Sequence, residues 1–253
     1  MNRSGLIVAL AIAVVVGVAF GLYPQLDLII AAPFHAITID GTAFGLHVYP
    51  PLMLARNLGL WLGAALIVPP VAALIVKLIF PKHRLLVSGR AIVFLIATIV
   101  LAPGLVVNVG LKDHWGRPRP IDVVQFGGDQ HFVAWWDPRG DCLGNCSFVS
   151  GDVSGAFWTL APAALAPPPW RALAYGAALA LGTGMAVARM LAGAHFFTDV
   201  VFAGVFTFLI VWIVYALIYR WPRTRLSDEA VEQGLERFSA SIRGFFRKRK
   251  TEL

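Results

Sequence analysis

Three clusters of polar residues in this sequence carry side chains suited to handling a phosphate group. They are Lys112–Pro120 (KDHWGRPRP), Phe148–Asp152 (FVSGD) and Arg189–Asp199 (RMLAGAHFFTD). Arginine presents a planar fork that matches phosphate oxygens, and lysine supplies a compact positive charge. Lys112, Arg119 and Arg189 are therefore candidate phosphate-binding residues.

The third cluster also contains a candidate nucleophile. His195 and Asp199 are four residues apart, so on a helix they would share a face, and the carboxylate could hold the imidazole in one tautomer. A histidine oriented in this way beside an anion pocket is arranged as a nucleophile or a base. In the second cluster, Ser150 and Gly151 open a predicted helix, whose first backbone N–H groups favour an anion. Together these groups would supply the positioning and charge stabilisation that phosphoryl transfer needs.

The composition places these clusters in a membrane protein. Of the 253 residues, 58% are hydrophobic and 14% are charged, whereas soluble domains contain roughly 45–50% and about 25% of these classes. This excludes a disordered chain, a nucleic-acid-binding domain and an ordinary cytosolic enzyme. The net charge of +7 lies between and after apolar runs, so we do not assign it to a nucleic-acid partner.

Six apolar runs without Asp, Glu, Lys or Arg approach or exceed the length of about 20 residues that crosses a bilayer. These runs are Ser4–Leu26, Asn57–Val76, Ala91–Leu111, Val153–Trp170, Ala172–Ala188 and Val200–Tyr219. We therefore predict an all-α integral membrane protein in which six transmembrane helices form a bundle, with both termini on the same side.

The distribution of Lys and Arg orients this bundle, because cytoplasmic loops are enriched in both. Arg3, the basic link between the second and third spans, and the basic tail share one side, which we assign to the cytoplasm. The three polar clusters then meet on the opposite, periplasmic face. Taken singly, Lys112 and Arg119 could be headgroup anchors, Arg189 could form a structural ion pair, and His195 could be an interfacial residue without a role. Their common placement favours an active site at the periplasmic face.

The end of the chain differs in character from the rest. We divide the sequence into a six-span membrane domain, residues 1–222, and a basic amphipathic cytoplasmic tail, residues 223–253. Ser227 suits a helix N-cap, and the apolar residues that follow recur on one helical face; they are Val231, Leu235, Phe238, Ile242 and Phe245. Such a helix with a basic end suits an anionic membrane surface, and the alternative is a solvated tail.

In order and spacing, the three clusters resemble the motifs of the type 2 phosphatidic acid phosphatase family. The family pattern is K-x6-R-P, then P-S-G-H, then S-R-x5-H-x3-D. Lys112–Pro120 fits the first motif in full, and Arg189, His195 and Asp199 fit the third, with Ala188 in place of Ser. The second motif is altered, because it reads Val-Ser-Gly-Asp over 149–152. The resemblance extends from about the third predicted span to the sixth.

The resemblance implies a phosphatase that uses neither a metal nor another cofactor. His195 would attack phosphorus and form a phospho-histidine, with Asp199 orienting the ring. The phosphoryl oxygens would be bound by Lys112, Arg119, Arg189, Ser150 and Gly151. Water would then release inorganic phosphate.

Asp152 occupies the position at which the family has a histidine that donates a proton to the leaving group. An aspartate can donate only while protonated, and burial or nearby negative charge would favour that form. Alternatively, Asp152 is ionised and positions a water molecule or a cation. In a third possibility, His114 within the first motif supplies the proton. The residues alone leave these alternatives open.

Cys142 and Cys146 stand just before the second motif. On a periplasmic face, oxidising conditions would allow a disulfide between them, which would brace the approach to Ser150. The alternatives are two ordinary thiols or, less favoured, a zinc site, which usually needs four ligands.

The function implied by the resemblance is that of a lipid-phosphate phosphatase in a bacterial inner membrane, active on a membrane lipid, without nucleic acid or an obligate protein partner. The stretch over 145–152 looks most like bacterial members that dephosphorylate lipid A, at the 4'-phosphate slightly ahead of the 1-phosphate. Arg117 and Arg139 would suit such a polyanionic headgroup, or are simply solvated.

Other functions remain open on the sequence. The substrate could be undecaprenyl pyrophosphate or phosphatidylglycerophosphate. A lipid phosphotransferase of the same fold would pass the phosphoryl group to a lipid instead of water. A non-catalytic binder of anionic lipid is permitted by the altered residue at Asp152.

Overall fold

The computed structural model of this protein describes residues 2–39, 41–82, 84, 85 and 87–251, with side chains up to residue 241. Over these residues the chain is all-helical, as predicted, without extended strands. The helices are α1 (Arg3–Leu22), α2 (Gln25–His35), α3 (Pro50–Ile79), α4 (Gly89–Leu111), α5 (Gly151–Trp158), α6 (Leu160–Leu165), α7 (Pro168–Leu191), α8 (Phe197–Arg220) and α9 (Asp228–Thr251). Short 3-10 turns lie at Gly45–Val48, Pro120–Asp122 and Val124–Phe126.

Among the described residues, five helices are long and apolar enough to cross a membrane: α1, α3, α4, α7 and α8. Each coincides with one of the predicted spans. The remaining predicted span, Val153–Trp170, does not form one helix. It is divided into α5 and α6 at Thr159, and α6 ends at Leu165. Pro162 accounts for the break, because a proline within a helix removes one hydrogen bond and its ring clashes with the carbonyl four residues earlier.

Helix α5 lies in the centre of the bundle and contacts α3, α4, α7 and α8. Trp158 at its end is fully buried, and its indole N–H donates to the hydroxyl of Thr98 on α4 at 3.0 Å. The first turns of α5 pack in an apolar cluster with Phe148, Met185 and Phe202. This packing fixes the N-terminus of α5, where the second motif lies.

Helix α4 changes its winding before it reaches the first motif. It is α-helical over Gly89–Ile99 and π-helical over Val100–Leu111. The wider turn continues to Lys112, whose backbone N–H donates to the carbonyl of Val107, five residues earlier, at 2.9 Å. Extended π-helices are rare, and π turns are frequent at functional sites.

The tail forms a helix that packs against the rest of the protein. The buried ammonium of Lys77 on α3 lies 2.8 Å from Glu236 and 3.4 Å from Glu232, and Asp228 accepts hydrogen bonds from Arg90 on α4. Along the predicted apolar face, Val231 is buried but Phe238 is exposed. The side chains of Ile242 and Phe245 lie outside the described residues.

Candidate active site

The nucleophile candidate lies in the turn between α7 and α8. His195 is buried and precedes the N-cap residue Phe196, so it is not on the same helix as Asp199, contrary to the expectation of a shared helical face. Asp199 is in the first turn of α8 and accepts the backbone N–H of Phe196 at 2.7 Å. An acidic residue at this position also interacts favourably with the helix dipole.

The imidazole of His195 is held by backbone, and not directly by Asp199. Its Nδ1 lies 2.8 Å from the carbonyl oxygen of Ser147 but 4.0 Å from the nearest carboxylate oxygen of Asp199. A carbonyl oxygen only accepts, so Nδ1 carries the proton in this hydrogen bond. Burial lowers the pKa of His195 well below its usual value, and the charges of Arg189, Arg119 and Lys112 lower it further, opposed by the bond to Ser147. The ring is therefore neutral, and its Nε2 lone pair is available for attack.

Asp199 acts through its neighbours. One carboxylate oxygen accepts the hydroxyl of Ser147, and the other accepts Nη1 of Arg117. Arg117 also donates to Asp27 on α2 at 2.8 Å, and Thr198 bonds to the same carboxylate. All the charged groups of this network are buried. The network ties α2 to the start of α8 and fixes the Ser147 segment beside His195.

We expected that Arg117 and Arg139 would both suit a polyanionic headgroup, but the structure engages each of them in an ion pair within the protein. The guanidinium of Arg117 has no exposed surface and lies 4.6 Å from the ring centre of Phe196. Arg139 is exposed and pairs with Asp137 at 2.8 Å. Burial between two carboxylates makes Arg117 a structural residue.

The three predicted cations converge on His195. Lys112 is the C-cap residue directly after the π-helical part of α4, Arg189 lies in the last turn of α7, and Arg119 lies in the loop that follows α4. Burial lowers the pKa of Lys112, and the charge of Arg119 lowers it further, while Asp152 opposes this. Nη2 of Arg119 donates to the carbonyl of Asn145 at 2.8 Å. Three neighbouring cations form a strongly anion-attracting site.

The second motif places a helix N-terminus at the same site. Ser150 is the buried N-cap of α5, and its hydroxyl accepts the backbone N–H of Val153 at 3.4 Å. Gly151 follows, and a Cβ atom there would lie 2.6 Å from the side-chain oxygen of Asn108 on α4. The position therefore needs a glycine, which lets the start of α5 lie directly against Asn108.

Asp152 is paired with two arginines. Nε and Nη2 of Arg56 bind its two oxygens at 2.6 and 3.2 Å, and Nε of Arg189 lies 3.2 Å away without alignment for a hydrogen bond. Two guanidinium groups beside Asp152 favour its ionised form, because opposite charge at this distance stabilises a carboxylate. Asp152 is thus a carboxylate at neutral pH, which disfavours a protonated Asp152 as the proton donor.

The close approach of α3 to α7 brings Arg56 to this place. Gly59, one turn after Arg56, is buried, and a Cβ atom there would lie 2.8 Å from the end of the Met185 side chain. Met185 is one turn before Arg189 on α7. Gly59 therefore allows α3 and α7 to approach closely. One helical turn from this contact, Arg56 and Arg189 both reach Asp152.

His114 lies apart from these residues. Its ring is exposed, and its Nδ1 is 3.0 Å from the carbonyl of Val109. A different histidine, His47, lines a cavity of about 520 Å³ together with Arg119 and Arg189. The wall of this cavity includes Cys142, which is joined to Cys146 by a disulfide.

Four contributors to the site were not identified from the sequence: Arg56, Arg117 as a buried residue, Ser147 and Asp27. Arg56 had a detectable signal, since it is the one charged residue between Asp40 and Lys77 in an otherwise apolar stretch. Ser147 contributes a backbone carbonyl, which any residue type would carry. Within the part of the chain that the structure describes, His, Cys, Asp and Glu side chains form no group of three or more able to hold a metal.

Comparisons with known proteins agree with the motifs. A model of the PAP2 superfamily matches residues 91–223, more than half of the chain. A lipid A 4'-phosphatase of Francisella tularensis subsp. novicida (strain U112) is 36% identical over 228 residues, which cover 87% of this chain and 98% of that protein. A lipid A 4'-phosphatase of Rhizobium leguminosarum is 40% identical over 106 residues, 42% of this chain and 46% of that protein. No solved structure matches the chain.

Proposed function

Since this chain belongs to the PAP2 superfamily, and is therefore a phosphoric monoester hydrolase, we propose that it removes the 4'-phosphate of lipid A. The observation that supports this most is the neutral, buried His195 beside three cations and a helix N-terminus. The nearly full-length similarity to a lipid A 4'-phosphatase supports the choice of lipid.

In the proposed reaction, Lys112, Arg119 and Arg189 bind the phosphoryl oxygens with the N–H groups at Ser150 and Gly151. Nε2 of His195 attacks phosphorus, the bond from phosphorus to the sugar oxygen breaks, and the sugar oxygen takes a proton. Water then attacks the phospho-histidine, the N–P bond breaks, and inorganic phosphate leaves. The cations stabilise the charge on the transferring group, which is the main task in phosphoryl transfer.

Asp199 is proposed as a positioning residue. It binds the hydroxyl of Ser147, whose carbonyl accepts the Nδ1 proton of His195. This chain of contacts fixes the tautomer that leaves Nε2 free for attack.

We further propose that the protein spans the inner membrane six times, with α5 and α6 together as the fourth passage. Both termini would be cytoplasmic, and the site would face the periplasm. The positions of Lys and Arg at the helix ends support this orientation, and the disulfide is compatible with an oxidising compartment.

The test is phosphate release by the purified protein in detergent. Lipid A, phosphatidylglycerophosphate, phosphatidic acid and undecaprenyl pyrophosphate are each supplied with EDTA, and His195→Gln is the inactive control. We expect release from lipid A alone or by far the fastest, with mass spectrometry locating the loss at the 4' position. Transfer to a lipid without free phosphate would indicate a phosphotransferase, and binding without turnover would indicate a non-catalytic binder.

A further inference from the structure

We propose that Arg56 is a catalytic residue that stabilises the negative charge on the departing sugar oxygen, and that Asp152 is the positioning residue that aims it. This inference rests on the proposed phosphatase function. It assigns a role to a residue outside the three motifs.

The placement of Arg56 is the first argument. It lies in the second turn of α3, just before the apolar run Asn57–Val76, in a helix long and apolar enough to span a membrane. Charged side chains that face the interior of a membrane helix bundle usually pair with one another and mark functional sites. Here the partner is Asp152, a residue of the second motif, which also lies beside Arg189.

The hydrogen bonds of Arg56 are the second argument. A guanidinium has five N–H donors in a rigid plane, and Asp152 engages Nε and one N–H of Nη2. The Arg56 side chain is 38% exposed, against 16% for Arg189 and none for Arg117. Its orientation is therefore fixed by Asp152 while donors remain for an oxygen anion.

The chemistry of position 152 is the third argument. The family resemblance implies a proton donor there, but the Asp152 carboxylate bound to Arg56 has no proton to give. An arginine does not act as the proton donor either, because a guanidinium stays protonated in a protein. A fixed guanidinium can instead stabilise charge that develops in the transition state. The sugar oxygen then leaves as an alkoxide stabilised by Arg56 and takes its proton from a water molecule. The hydroxide that remains is the nucleophile that attacks the phospho-histidine, breaks the N–P bond and releases inorganic phosphate.

The experiment compares Arg56→Gln with the wild type on lipid A and on an aryl phosphate whose leaving group is a stable anion. Loss of a charge-stabilising donor costs about 100- to 1,000-fold in kcat, so we expect a loss of that order on lipid A and little change on the aryl ester. Added guanidinium at millimolar concentration should restore lipid A hydrolysis by Arg56→Gln. Arg139→Gln, which removes an exposed arginine outside the site, should behave as the wild type with both substrates.

Asp152→Asn tests the positioning role. It should lower kcat on lipid A without rescue by guanidinium, because Arg56 is present but no longer held. Should Arg56→Gln fail to fold with an unpaired carboxylate, the double variant Arg56→Gln/Asp152→Asn removes both charges, and guanidinium should rescue it.

Two results would overturn the inference. Equal losses on both substrates without guanidinium rescue would show that Arg56 binds phosphate or only supports the fold. Loss of lipid A hydrolysis in His47→Gln, together with loss of the alkaline limb of the pH profile, would give the role of proton donor to the histidine in the cavity. Failure of the wild type on lipid A would instead contradict the proposed function itself.

Discussion

The carbonyl oxygen of Ser147 accepts the Nδ1 proton of His195 at 2.8 Å. The carboxylate of Asp199, four residues after the histidine, reaches the same Ser147 through its hydroxyl. The orienting contact is thus made by backbone, and the carboxylate secures the segment that carries it. Removing the hydroxyl of Ser147 should therefore lower the free energy of unfolding more than it lowers kcat.

Ser147→Ala tests this directly. The variant keeps the carbonyl but leaves the buried Asp199 without one donor, so the free energy of unfolding should fall by about 1–3 kcal/mol. The kcat for phosphate release should stay within about tenfold of the wild type, equivalent to less than about 1.4 kcal/mol. Thermal unfolding and phosphate release in the same detergent measure both.

Ser154→Ala is the matched control, because Ser154 is equally buried and its hydroxyl lies 2.7 Å from that of Thr207, away from the site. It should lose similar stability with unchanged kcat. If Ser147→Ala kept its stability but lost most of its kcat, the hydroxyl would be acting on His195 itself.

The protonation state of His195 is a second prediction. Its pKa is lowered by burial and by Arg189 and Arg119, so at about pH 6, below the ordinary value of about 6.5, the ring should remain neutral with its proton on Nδ1. Since the unfolded chain would bind this proton more readily, the contribution of His195 to stability falls as the pH drops below about 6.5.

Nitrogen NMR of histidine-labelled protein, with the His195 signal assigned by its absence in His195→Gln, measures this state. Arg119→Gln removes one of the charges and should move the titration to higher pH. An imidazolium signal for the wild-type residue at pH 6 would contradict the prediction.

The buried network around Arg117 gives a third prediction. Arg117→Gln leaves Asp27 and Asp199 without their shared cation, and loss of one partner from a buried ion pair costs about 3–5 kcal/mol. We expect a large fall in the midpoint of thermal unfolding and low yield of folded protein. Arg139→Gln, which breaks only the exposed pair with Asp137, should show no measurable change. Similar midpoints for the two variants would mean that the network does not support the fold.

The disulfide gives a fourth prediction, which also reports on compartment. The segment between Cys142 and Cys146 includes Asn145, whose carbonyl accepts the bond from Arg119. A Cys142→Ser/Cys146→Ser variant should raise KM up to about tenfold, since a hydrogen bond to a charged group contributes about 1.5 kcal/mol or more, with a smaller change in kcat. Alkylation of intact cells should leave both wild-type thiols unmodified, and full labelling would contradict the oxidised periplasmic site.

The membrane-spanning helices and the cations of the motifs could be predicted, because both depend on local patterns in the sequence. Apolar runs located α1, α3, α4, α7 and α8, because length and composition alone make a helix able to span a membrane. Motif spacing identified Lys112, Arg119 and Arg189, which the structure brings to one place. Arg56 could have been named as a candidate site residue, because it stands alone among apolar residues. Nothing in the local sequence indicated that Asp152 would be its partner.

What the sequence could not provide depends on contacts between distant segments. The burial of Arg117 could not be predicted, because its partners Asp27 and Asp199 are 90 and 82 residues away along the chain. The predicted shared helical face of His195 and Asp199 was wrong, because α8 begins at Phe197, two residues after His195. The division at Thr159 was missed because hydropathy does not register a single proline within an apolar run.

The two short helices in the middle of the bundle are shorter than the membrane that they are proposed to cross. Together α5 and α6 reach about 22 Å at 1.5 Å per residue, whereas the hydrocarbon core of a bilayer is about 30 Å thick. Every residue of the pair is buried or half-buried, and longer helices enclose it. Protein, and not lipid, therefore makes up the difference in length. The acyl-chain length of the lipids used for reconstitution should consequently have little effect on the Ser150 end of α5.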